Sequence, residues 1–122
     1  SWAMKGKRQL ARDWYLRAIA QAPHLRDPYM DLAMLLYEDG SWDGVLYFTS
    51  CALAISTRPK TYICESASWG SLPHDLRSIA FYHTGRPAQA LDEARAALAM
   101  EPTNERLAGN VALLERKMKS EP

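Results

Sequence analysis

The sequence predicts an all-α chain, an α-solenoid of antiparallel helix pairs. Three observations predict it. Apolar residues recur at helical spacing, with Pro and Gly between the runs. Certain spacings repeat: Ala18 and Ala52 lie 34 residues apart, while Tyr37 and Tyr82, Gly40 and Gly85, and Ala52 and Ala97 each lie 45 apart. The composition, 48% hydrophobic and 24% charged over 122 residues, suits one packed domain and excludes disorder as a whole-chain description.

Residues 1–6 are expected to be an added or disordered start. A first helix over 7–22 places Leu10, Trp14 and Ala18 on one face, with Ala11, Tyr15 and Ile19 beside them, and Pro23 stops it. Trp14 and Tyr29 are core by periodicity. Asp27 is the expected N-cap of the next helix, with Pro28 at its first position and Gly40 at its end. That helix buries Tyr29, Leu32, Ala33 and Leu36. Ser41 is expected to cap a third helix that buries Val45, Phe48, Ala52 and Ile55, with Trp42 in inter-helix packing. Ser71 or Leu72 precedes a helix through Thr84 with Leu76, Ile79 and Ala80 inward. Pro87 opens the next, with Leu91, Ala94 and Leu98 inward. Asn104 can cap a last helix with Leu107, Val111, Leu114 and Met118 on one stripe, ahead of a short tail at 120–122.

The larger interval implies an insertion of 11 residues within about 58–70, expected outside the helical hairpins and over one rim of the groove. Tyr62 and Trp69 lie in it. Either they pack back on the domain, at least one of them half buried, or they await a partner.

The offsets of Tyr29, Leu32, Ala33, Leu36 and Gly40, and of Phe81, Gly85, Ala90, Ala97 and Pro102, match the signature of tetratricopeptide (TPR) repeats. The units are a lone second helix (7–22), full repeats at 26–57 and 71–102, and a capping helix (104–119), one domain over 7–119. Because the opening unit lacks its first helix, the chain is read as a piece of a longer protein. Part of the Leu10, Trp14 and Ile19 surface is then uncovered, and a second copy of the chain, a homodimer through this helix, is the expected cover. TPR solenoids bind partners on the concave face lined by each unit's first helix. The candidate groove residues are Met30, Met34 and Tyr37; Asp75, Ile79, Tyr82 and His83; and Arg106, Asn110 and Leu113. Carboxylate-binding members carry Lys and Asn at the first unit's groove places, where this chain has Met30 and Met34, so a chaperone-tail binder is not expected.

The chemistry of catalysis is sparse. The chain has no G-x-G-x-x-G, P-loop, C-x-x-C, H-E-x-x-H or G-x-S-x-G motif. Residues 38–43, Glu-Asp-Gly-Ser-Trp-Asp, lack the alternating acids and closing Glu of a calcium loop. His74 and His83 are nine apart, on different faces of one helix, so no shared metal is expected. His74 and Asp75 are read as a first-turn pair. The net charge of +1 gives no reason to expect nucleic acid, although Lys5, Lys7, Arg8, Arg12 and Arg17 stand against Asp13 alone in the first 25 residues. Two cysteines, Cys51 and Cys64, fit a reducing, cytoplasmic setting rather than a disulfide framework. No stretch is apolar enough for a membrane span, and no cofactor is expected.

Beyond the repeat itself, residues 28–40, 67–76, 79–85 and 102–111 resemble the TPR region behind the catalytic domain of bacterial and phage family-two glycosyltransferases. The interrupted repeat carrying Trp-Gly-x-x-Pro-x-Asp-Leu at 69–76 is the most specific part. The likeness covers 7–118 but includes no sugar-transfer domain, so no catalytic residue carries over. It implies a non-catalytic interaction module that docks on its own catalytic domain or on an acceptor. The alternatives are a free-standing protein-interaction adaptor and, as a minor one, an enzyme using Asp75, Tyr82 and His83 for acid–base work.

Overall fold

The structure, a computed structural model, describes residues 2–59 and 66–120. Among them there are seven helices and no strand: α1 (Trp2–Gln21), α2 (Arg26–Glu38), α3 (Trp42–Ala54), α4 (Ser66–Trp69), α5 (Leu72–His83), α6 (Pro87–Met100) and α7 (Glu105–Ser120). No helix is long and apolar enough to cross a membrane. α2 pairs with α3 and α5 with α6, and the two hairpins join through α3 and α5. α1 packs on α2, and α7 packs on α6.

Both hairpin turns have the same construction. The Gly40 N–H donates to the Tyr37 carbonyl and the Ser41 N–H to the Leu36 carbonyl; Gly85 and Arg86 donate in the same way to Tyr82 and Phe81. Gly40 (φ 72°) and Gly85 (φ 75°) take the left-handed conformation that this helix ending needs and that other L-residues enter at a cost. The interval of 45 residues is therefore present in backbone hydrogen bonds as well as in the sequence.

Two apolar clusters fill the interior. The first gathers Leu32, Ala33, Leu36, Val45, Ala52, Leu76 and Ala80; the second gathers Phe81, Ala90, Leu91, Ala94, Val111 and Leu114. Each fully buried Leu or Val contributes roughly 1.5–3 kcal/mol against exposure. Ala52 and Ala97 have no exposed surface, as expected of small residues where helices approach closely. Polar ties cross the helices too. The Arg77 guanidinium donates to the Leu46 carbonyl and to Ser50 Oγ on α3 and lies 3.4 Å from Glu93 on α6.

Several local expectations change. α1 starts at Trp2, so residues 2–6, read as an added or disordered start, are helical. Its inward face is Ala11, Tyr15 and Ile19, while Leu10 (70% exposed) and Trp14 (68%) point to solvent. Trp14 is therefore not core; the helix has two partly apolar faces and only one meets α2. α2 begins at Arg26 with Leu25 as N-cap, so Asp27 lies inside its first turn, and Ser41, the N-cap of α3, makes no side-chain cap. Asn104 does cap, its Oδ1 accepting from the Leu107 N–H at 3.1 Å. Met118 is 38% exposed, so the inward stripe of α7 ends at Leu114.

The insertion region contributes α4, which packs on α2 and α5. Trp69 is partly buried under Arg26, whose guanidinium lies 3.9 Å from the ring centroid and donates to the Ile55 and Ser68 carbonyls. Burial lowers the Arg26 pKa. Tyr62 lies outside the described residues.

Candidate functional site

α5 and α7 both pack on α6 and stand on either side of an open cleft of about 260 Å³. Ser78, Ile79, Tyr82 and His83 come from α5, and Arg106, Asn110, Leu113 and Leu114 from α7. The helical spacing explains the meeting: residues 106, 110 and 113 form one stripe of α7, and residues 79, 82 and 83 one stripe of α5. Tyr82 and Leu113 are 41% and 55% exposed, so the walls present apolar surface to solvent. A neighbouring hollow of about 390 Å³ is lined by Tyr82, His83, Gly85, Pro87 and Lys117.

The charge at the edge of the cleft is an ion pair, Arg106 with Asp75. Arg106 donates to the Asp75 carboxylate at 2.8 Å, and Asp75 is 7% exposed. That hydrogen bond, and then the charge of Asp75, raise the Arg106 pKa, with Glu101 and Tyr37 adding to the effect. The guanidinium therefore stays charged, and its side chain remains 60% exposed. Lys117 Nζ sits 5.4 Å from the Tyr82 ring. Ser78 turns its hydroxyl away, donating to the Ala90 carbonyl.

An aromatic run extends from the cleft toward α2. Tyr82 meets His83 edge-on, His83 stacks on Trp42, and Trp42 meets the edge of Tyr37 at 5.8 Å. Tyr37 thus borders the same surface. Met34 is partly buried against the first cluster and does not line the cleft. Met30, read as a groove residue, is 3% exposed and belongs to the core, because it faces the packed side of α2. Asp75, also assigned to the groove, is buried and occupied by Arg106.

The structure therefore brings together Ile79, Tyr82, His83, Arg106, Asn110 and Leu113. It adds Ser78 and Leu114, and Lys117 in the neighbouring hollow, which sequence reasoning missed. Lys117 was findable, since it lies four residues after Leu113 on the same stripe.

The other candidates resolve locally. Asp39 in the turn at 38–43 accepts from Arg8 Nε at 2.6 Å and from Arg12 at 3.1 Å. His74 bonds Glu93 at 2.9 Å rather than pairing with Asp75. Among the described residues no group of three or more His, Cys, Asp or Glu could hold a metal. The cleft can enclose one apolar side chain of a ligand, while Arg106 and Asn110 offer hydrogen bonds to an adjacent carbonyl or carboxylate. Comparison with models of protein families and with curated protein sequences finds no match to this chain.

Proposed function

We propose that the chain is a non-catalytic, TPR-type interaction module that binds a protein segment in the cleft between α5 and α7. One observation carries the reading: the cleft combines exposed apolar walls with hydrogen-bonding groups at its edge. The repeated turn at Gly40 and Gly85 supports the repeat assignment. The buried, ion-paired state of Asp75 argues against acid–base work by Asp75, Tyr82 and His83, since its carboxylate is not offered to the cleft.

On the resemblance given in the sequence analysis, the parent protein would be a family-two glycosyltransferase, with the module docking on the catalytic domain or an acceptor in the cytoplasm. A sugar-transfer domain encoded directly upstream would agree with that placement, and an unrelated neighbour would remove it. The binding itself is tested with immobilised peptides that pair Leu or Phe with an adjacent acid. Retention should fall at least tenfold with Leu113→Glu or Asn110→Ala. Binding indifferent to both variants would refute the cleft as the site.

A further inference from the structure

α1 and α7 are the outermost helices of the described stack, but they face solvent differently. α7 turns Ala108, Gly109, Ala112, Glu115 and Arg116 outward. α1 turns out Leu10 and Trp14, each more than two-thirds exposed. Lys7 and Arg17 are exposed as well. Residues 7, 10, 14 and 17 advance in alternate steps of three and four, so they fall on one seam of the helix. The seam has two apolar groups at its centre and one cation at each end. It is not the surface that packs on α2, which is Ala11, Tyr15 and Ile19. Arg8 and Arg12 are engaged with Asp39 and take no part.

We propose that this seam docks an acidic amphipathic helix of a partner protein, with apolar residues at its centre and Asp or Glu beyond them at both ends. Charge selects the occupant. In a two-fold antiparallel pair of α1 helices centred between Leu10 and Trp14, Lys7 of each copy faces Arg17 of the other. Like charges then oppose each other twice, which disfavours the second copy expected from sequence. An acidic helix meets attraction at the same two places.

The test titrates the full chain with two synthetic helical peptides of seam pattern Glu-x2-Leu-x3-Leu-x2-Glu and Lys-x2-Leu-x3-Leu-x2-Lys. The Glu peptide should bind at least tenfold more tightly, with an advantage that shrinks as salt rises. Lys7→Glu with Arg17→Glu should reverse the preference, and Trp14→Ala should abolish binding of either peptide. Helical circular dichroism checks that each variant is folded. Three results overturn the proposal: no binding or no preference between the peptides; a wild-type dimer in sedimentation that Trp14→Ala dissolves; or retention on phosphatidylserine vesicles that the Glu peptide does not displace.

Discussion

The imidazole of His83 lies parallel to the indole of Trp42, with ring centroids 4.4 Å apart and 5° between the planes. Trp42 opens α3 and His83 closes α5, so the stack ties the first hairpin's turn to one wall of the cleft. His83→Ala should cost about 0.5–1.5 kcal/mol beyond its loss of buried area. His83→Phe should retain most of that. A double-mutant cycle with Trp42→Ala measures the coupling, and a value near zero would show that the stack adds nothing.

Ala52 and Ala97 sit at corresponding places in the two hairpins, both without exposed surface. Ala52→Leu or Ala97→Leu should destabilise by about 1–3 kcal/mol through overpacking. Arg95→Gln breaks only an exposed pair with Glu115 and should cost about 0.5 kcal/mol or less. Thermal melts of the three variants check the ranking.

Arg26 stacks on Trp69 while reaching the Ile55 carbonyl at the end of α3 and the Ser68 carbonyl within the insertion. Its planar fork does both at once, which a lysine ammonium cannot. Arg26→Lys should therefore destabilise by roughly 1–3 kcal/mol although the charge is kept. Denaturant unfolding gives the number, and stability equal to wild type would mean that the clasp contributes nothing.

Glu93 predicts an acid dependence. Burial alone would raise its carboxyl pKa, but the His74 hydrogen bond and the Arg77 charge outweigh that and hold it below its ordinary value of 4.5. A carboxyl lowered on folding gives stability that is complete above its unfolded value and lost as pH falls through its folded one. The advantage of wild type over Glu93→Gln in melting temperature should thus be full above about pH 4.5 and shrink below it. A gap unchanged down to strongly acidic pH would contradict this.

Much of the fold was legible because its signals are local. Gly40 and Gly85 mark their turns because the backbone there needs positive φ, and Asn104 caps because its side chain reaches only three residues on. Other features depend on which neighbour is present. Periodicity alone could not tell the Leu10–Trp14 face of α1 from the Tyr15–Ile19 face, since both carry apolar groups at helical spacing. Met30 was misplaced for the same reason. The cleft was legible as stripes on α5 and α7, but the His83–Trp42 stack and the Asp75–Arg106 pair join distant parts of the chain and left no local trace.

The main packing partners of each helix are close in chain order: α1 with α2, α2 with α3, α3 with α5, α5 with α6, α6 with α7. Apart from the connection between α3 and α5, which carries the insertion, each layer follows the last across a short turn. Mechanical load would therefore meet the layers in series. A pull along the chain would peel α1 from α2 and α7 from α6 first, leaving the two hairpins, α2 with α3 and α5 with α6, to yield last.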